Sequence, residues 1–398
     1  MKIIFFTHPD FLGSQSMPRF AIMLSNGMKK RGHSVSIWHP TPVFFKLPGP
    51  PVLKKWLGYI DQFIIFPIRV KKWLKLCDNE TLFVFTDHAL GPWVPLVRQR
   101  AHAVHCHDFL AQRSAQNQID ENPTSLTGRV YQNFIWKGYS KGENFISVSN
   151  KTREDLHQFL TTKPKFSEVV YNGLNQSFKP FSVVDARSEF GKAVGLNLTE
   201  GYILHIGGNQ WYKNRVGVIE IYDAWRKISK KDIPLLLIGK TGTAALNKKR
   251  EQSPYRDDII FLTNIADEQL QLAYSGATVL LFPSLAEGFG WPIAEAMASG
   301  CPVITTNEAP MTEVAGDAAF LIKRRPQAAD DAIIWADEAA HIVDKVVNLS
   351  TTEREEVSQT GIVNASRFET ESTLDKIEKI YEEIIKSSFA YGYQKAAD

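Results

Sequence analysis

Apolar and polar positions along this chain follow two rhythms that replace one another repeatedly. KIIFFT (2–7), HSVSIW (33–38), TLFVFT (81–86), AVHC (103–106), ENFISVS (143–149) and EVVYN (168–172) are short apolar stretches rich in Val, Ile and Phe. Such runs predict strands, with those at 81–86, 103–106 and 143–149 buried. Between them the spacing turns helical: Phe20, Leu24 and Met28, with Met23, fall on one face. A second series begins at GYILHIG (201–207) and continues with IPLLLIG (233–239), DIIFLT (258–263), TVLLFPS (278–284) and CPVITT (301–306). Strand and helix in alternation predict an α/β fold with parallel sheets.

Two series predict two doubly wound, Rossmann-like domains. The turn-rich stretch NGLNQSFKPFS (172–182) is the expected joint. Leu374, Ile377, Ile380, Tyr381, Ile384 and Ile385 form one stripe of a last helix, expected to cross back to the first domain. The expected division is therefore 1–175 together with 373–398, and 176–372. A chain of 398 residues is long enough for two cores.

Composition adds exclusions. Hydrophobic residues at 44% and charged residues at 22% describe an ordinary globular protein, and a net charge of +3 is too small to imply nucleic acid. Cys77, Cys106 and Cys301 stand far apart, which offers no disulfide framework and fits a reducing cytosol. The apolar start at 3–6 is cut short by Thr7, His8, Pro9 and Asp10, so no export signal is expected. The apolar stretch at 60–68 falls well short of the roughly 20 residues that cross a bilayer. Residues 41–76 mix prolines and aromatics, and Lys46 to Lys75 carries seven basic residues against one acid, Asp61. That mixture suits a surface resting on anionic headgroups; the other reading is a solvated face over a helical insertion. The expected location is cytoplasmic, peripheral at the inner face of the cell membrane if 41–76 meets lipid.

The densest chemistry is EGFGWPIAE (287–295). Glu287 lies in a strand-to-helix loop, and Glu295 about one turn into the helix that Pro292 starts. Gly288 and Gly290 let main-chain N–H groups approach a ligand, and the helix N-terminus suits a diphosphate. The two carboxylates would then accept hydrogen bonds from hydroxyls, one of a sugar and one of a ribose. In GGNQWYKN (207–214) a strand ends in Gly207 and Gly208, and Lys213 can neutralise a departing diphosphate. In AVHCHDF (103–109), His105 and His107 share a strand face. Zinc would need more ligands than Asp108 supplies. In the first loop (8–20), Gly13 and Ser14 precede a helix, again a phosphate- or acceptor-binding geometry. No Asp-x-Asp pair occurs to hold a divalent ion.

Embedded in PSLAEGFGWPIAEAMASGCPVITTN, the Glu287 to Glu295 spacing resembles the E-x7-E signature of family 4 retaining glycosyltransferases of the GT-B fold. SVSNKTREDL (147–156), VVYNGLNQSFKP (169–180), ILHIGGNQWYKN (203–214), residues 259–284 and TEVAGDAAFLI (312–322) extend it. The similarity is specific over 145–325 and general before that. It implies a nucleotide diphosphate-sugar donor on the second domain. Glu287 would hold the sugar hydroxyls and Glu295 the ribose. Phe289 and Gly290, beside Gly288, would offer backbone amides, and Lys213 would meet the phosphates near Gly207, Gly208 and Asn209. His107 would lie under the donor sugar, with Gly13 on the donor side and Asp108 and Ser14 on the acceptor side. The resemblance further implies retention of configuration and no metal or other cofactor. The expected acceptor is a saccharide or lipid-linked saccharide, as in lipopolysaccharide or other surface polysaccharide assembly. One departure stands out: many members carry an arginine where this chain has Gly207 or Gly208, so Lys213 acts alone or another cation, such as Lys240, substitutes. The alternatives are a GT-B sugar-nucleotide epimerase and a non-catalytic nucleotide-sugar-binding subunit; a phosphorylase would need a longer chain.

Overall fold

The computed structural model describes residues 1–12, 16–174 and 178–395. The chain forms two compact units, Met1–Asn175 with Thr370–Asp398, and Gln176–Glu369.

In the first unit six strands, β1 (Lys2–Phe6), β2 (Ser34–Trp38), β3 (Thr81–Phe85), β4 (His102–Cys106), β5 (Asn144–Ser147) and β6 (Phe166–Val169), form a sheet in the order β2-β1-β3-β4-β5-β6. Every pairing is parallel. Side chains alternate between its two faces, as a period of two requires. Ile4, Phe6, Phe83, Phe85 and Val104 join Phe66, Trp93, Phe109 and Tyr139 on one side. Ile3, Phe5, Leu82 and Val84 join Phe20, Leu24 and Met28 on the other.

The last helix, Thr370–Lys395, belongs to this unit and covers that second face with Leu374, Ile377, Tyr381 and Ile384. It approaches closely at Gly27, where an added Cβ would come within 2.5 Å of Leu374. Arg31 pairs with Glu371, Asp375 and Glu378 at 2.7, 2.6 and 3.2 Å. His105 is part of this anchoring: its Nε2 lies 2.7 Å from the Tyr381 hydroxyl. Burial, reinforced by His107, pushes the ring down to about 3, so it is a neutral core group.

The sequence between β2 and β3 folds into a helix, Pro51–Ile60, a wider turn at Asp61–Ile65 and a helix, Phe66–Trp73. Asp61 is buried and accepts from the backbone N–H groups of Val43, Phe44 and Phe45 at 2.9 to 3.0 Å. The single acid of this basic stretch is thereby removed from the surface.

The second unit carries β7 (Ile203–Gly207), β8 (Leu235–Gly239), β9 (Ile259–Leu262), β10 (Val279–Phe282), β11 (Val303–Thr306) and β12 (Phe320–Ile322), ordered β12-β11-β10-β7-β8-β9. These pairings are parallel as well. The sequence reading omitted β12. With three residues it shows no period, and only its pairing with β11 (Thr306 opposite Ile322) defines it.

Strand order has a functional consequence. In the second unit the chain winds outward from β7 to β9, then returns to β10 and winds the other way, so the order reverses between β7 and β10. In the first unit it reverses between β1 and β3. Ligands of open parallel sheets bind at the carboxyl ends of the strands beside such a reversal.

Candidate functional site

Loops leaving β7 and β10 meet at the reversal of the second unit. The amide of Leu285 donates to the Tyr212 carbonyl at 2.7 Å, and the Asn214 amide side chain donates to the Pro283 carbonyl at 2.9 Å. Asn214 adopts a left-handed conformation with φ near 50°, which turns the chain sharply into the helix Arg215–Ile228. These two hydrogen bonds tie the β7 loop to the β10 loop and so set the Lys213 and Glu287 stems against each other.

Their side chains then pair. Lys213 Nζ lies 2.7 Å from Glu287 Oε1, and both side chains are largely buried. Ser284 Oγ donates to the same oxygen at 2.9 Å. Oε2 of Glu287 therefore has no partner among the described residues. The lysine stem passes Gly207, where an added Cβ would meet it at 3.3 Å, and its ammonium lies 5.0 Å from the Phe282 ring centre. Gly207 thus keeps the path of Lys213 open.

Gly290 has φ +100°, a backbone that strains any L side chain, and caps the helix Trp291–Ala298. Phe289 is buried edge-on against Phe368, centroids 5.3 Å apart, so it contributes backbone and not an exposed ring to this turn. Glu295 projects from the helix, where the Tyr274 hydroxyl donates to its Oε2 at 2.7 Å. Burial and the negative charge of Glu295 hold the Tyr274 hydroxyl well above its ordinary value, so it stays a donor. Asn209 is exposed and donates to the Thr241 carbonyl at 2.8 Å. Lys240 is exposed and enters through its carbonyl, which accepts from Arg215 at 2.9 Å.

At the reversal of the first unit the structure shows a cluster the sequence reading missed. His8 follows β1 and Asp87 follows β3. His8 Nε2 donates to Asp87 Oδ2 at 2.8 Å, and His88 Nδ1 lies 3.0 Å from Oδ1, off the line of a good hydrogen bond. Burial opposes the Asp87 charge, but the bond from His8 and the proximity of His88 outweigh it and hold the carboxyl well below its usual range. Burial likewise opposes charge on His88, and Asp87 offsets it, raising that imidazole. His8 and Asp87 are 79 positions apart, and nothing in the local pattern joins them.

His107 leaves β4 beside this cluster. Its Nε2 donates to the Thr86 carbonyl at 2.9 Å, which places the ring proton on Nε2 and leaves Nδ1 as an acceptor. Burial lowers its basicity, so the ring is neutral near pH 7. Asp108 turns back to cap the amide of Leu110 at 3.0 Å, and burial raises its carboxyl. Gly13 and Ser14 lie outside the described residues.

Two doubly wound parallel units of this kind define the GT-B class of fold. Within that class the chain belongs to the group 1 and family 4 glycosyltransferases. The model for glycosyl transferases group 1 matches residues 186–345, and that for Glycosyltransferase Family 4 matches residues 17–178. Among curated relatives, O-antigen chain mannosyltransferase B of Escherichia coli is 32% identical over 44% of this chain and 43% of its own length. The O-antigen chain mannosyltransferase RfbU of Salmonella typhimurium is 25% identical over 61% of each. The chain thus spans about half the length of the curated relatives it matches. Among solved structures, sucrose-phosphate synthase from Thermosynechococcus elongatus superposes with a TM-score of 0.73 at 16% identity, covering 97% of this chain and 100% of that one. WaaG, a glycosyltransferase involved in lipopolysaccharide biosynthesis, follows at 0.71 and 15%, covering 95% and 99%. At these identities the structures speak for the fold alone.

Proposed function

We propose that the protein is a retaining, metal-independent glycosyltransferase that moves a sugar from a nucleotide diphosphate-sugar to a hydroxyl of a saccharide or lipid-linked saccharide in surface polysaccharide synthesis. The observation that carries this is the meeting of Lys213 and Glu287 at the β7–β10 reversal, beside the helix N-terminus that presents Glu295. The mannosyltransferase relatives favour transfer over the epimerase alternative.

In this reading the donor's diphosphate lies at the Gly290 turn, where helix N–H groups and Lys213 oppose its charge. Glu287 Oε2 accepts from the sugar, and Glu295 accepts from the ribose. His107 Nδ1 accepts from a donor-sugar hydroxyl. The acceptor hydroxyl attacks the anomeric carbon from the face the diphosphate leaves, and the departing phosphate oxygen takes its proton. Lys213 is most valuable at that moment, because negative charge grows on the leaving oxygen. Lysine, amides and the helix dipole thereby fill the role that a divalent ion plays in other transferases. Screening nucleotide-sugars by thermal shift identifies the donor, since a ligand of the folded state raises the melting temperature; transfer to lipid-linked saccharides then tests the reaction. Donor binding without transfer to any acceptor would favour the non-catalytic alternative.

Tyr274→Phe removes a hydrogen bond donated to Glu295 Oε2. Nucleoside diphosphate binding should weaken by about 1 kcal/mol, roughly fivefold, measured by calorimetry. An unchanged affinity would separate Glu295 from the nucleotide.

The reading extends to a membrane contact through 41–76. No helix among the described residues is long and apolar enough to cross a membrane. Leu53, Trp56, Ile64 and Ile68 nonetheless leave an apolar stripe in solvent. Leu126, Val130 and Phe134 form a second stripe on the helix Leu126–Tyr139. Tyr59 stacked on Tyr131 at 5.5 Å and Phe63 against Phe134 at 5.3 Å join them. With Asp61 buried, the basic residues around these stripes meet no exposed acid from their own segment, a combination suited to anionic lipid. The protein should float with phosphatidylglycerol vesicles and not with phosphatidylcholine, and Trp56→Glu with Val130→Glu should abolish flotation. Failure of the wild type to float would end this part.

A further inference from the structure

Arg215 is the first residue of the helix that follows β7. It is 5% exposed, yet no carboxylate pairs with it among the described residues. Its Nη1 donates to the Asn209 side chain at 2.6 Å and to the Lys240 carbonyl at 2.9 Å, and its Nε and Nη2 are buried without a partner. The guanidinium lies 5.3 Å from the Phe261 ring centre. Burial pulls its basicity below the ordinary arginine value. His205 beside it is fully buried with Nε2 unpartnered, and burial together with the charges of Arg215 and Lys213 pushes that ring down to about 3. The ring therefore brings no countercharge.

A buried, unpaired cation is costly, and a protein keeps one where something else supplies the anion. Lys213 has Glu287; Arg215 has nothing comparable. Its contacts also place it. The groups it holds, Asn209 and the Lys240 carbonyl, belong to the loops leaving β7 and β8, so its charge lies between those two loops at the carboxyl edge of the sheet. Gly207 and Gly208 have no side chain of their own to offer an anion there.

We propose that Arg215 is the second cation of the nucleotide site, holding the donor's diphosphate from between the loops that leave β7 and β8. This rests on the glycosyltransferase reading and refines it. It would stand in for the strand-end arginine that the family resemblance leads one to expect at Gly207 or Gly208. The low-dielectric surroundings strengthen its field at the phosphates.

The test uses the full chain. Wild type, Arg215→Met and Lys213→Met are titrated with inorganic pyrophosphate and with UDP, GDP, ADP and dTDP by calorimetry, and the ligand-free Tm of each is recorded. Arg215→Met should bind pyrophosphate and the preferred nucleotide at least tenfold more weakly. Its ligand-free Tm should be unchanged or higher, since an unpaired buried charge has been removed. Unchanged affinity overturns the proposal. So does a Tm lowered by several degrees, which would make Arg215 a brace for the two loops. If wild type binds none of these ligands, the glycosyltransferase reading itself fails, a result distinct from either.

Discussion

Replacing Glu287 with Ala should lower sugar transfer by about 10²- to 10³-fold, the range found when one preorganised polar group is removed from a transition state. Two losses combine. The sugar loses the acceptor presented by Oε2, and Lys213 loses the partner that positions its ammonium. Because that pair is mostly buried, stranding the lysine should also cost stability, approaching about 3 kcal/mol. Glu287→Gln separates the two effects: it keeps an oxygen for Ser284 but not the charge that holds Lys213. Hydrolysis of the donor by water, followed alongside transfer, reports the donor side without reference to any acceptor. Near-normal rates in Glu287→Ala would remove this residue from the site.

Asp87→Asn should destabilise the first unit by about 3 kcal/mol near pH 6, because it leaves His88 buried beside a neutral amide. The pH dependence follows from the direction of each shift. Asp87 is held below its ordinary range, so its contribution is present above about pH 4, the value of an unfolded carboxyl, and is lost as pH falls through the lower folded value. His88 is raised, so its contribution is complete below about pH 6.5 and is lost as pH rises through the higher folded value. The stability gap between wild type and Asp87→Asn should therefore be widest between those limits and narrow on both sides. Urea midpoints across pH 3 to 9 give the curve. A gap independent of pH would mean that Asp87 acts through the hydrogen bond its Oδ2 accepts from His8 and not through charge.

What could be read from the chain depended on distance along it. The alternation of apolar runs and amphipathic segments encodes α/β architecture locally, so ten of the twelve strands are legible as runs, while β6 (Phe166–Val169) begins two residues before the run read at 168–172. The twelfth, Phe320–Ile322, exists only through its neighbour. Glu287, Gly290 and Glu295 are legible because one loop and one helix turn carry all three. The partner of Lys213, by contrast, is 74 positions away, and only the order of β7 and β10 brings them together.

The same limit hid His8 and Asp87, which the β1–β3 neighbourhood joins. Strand spacing puts His105 and His107 on one face, and packing gives them different partners: one turns to Tyr381, the other to the Thr86 carbonyl. Asp61 shows the limit of counting. In the sequence it is only one acid among seven bases; the fold makes it a buried cap for three backbone amides. Arg215 was invisible for a further reason: an arginine opening a helix has no unusual pattern until its burial and missing partner are seen.

The resting place of a donor's pyrophosphate decides whether Lys213 and Glu287 form the transfer site. A crystal structure of the protein with the nucleotide-sugar that raises its melting temperature most should place the phosphates within hydrogen-bonding reach of Lys213 and the Gly290 turn, with the sugar on Glu287 and the ribose on Glu295. A nucleotide bound anywhere other than the carboxyl edge of β7 and β10, with the Lys213–Glu287 pair untouched, would contradict it.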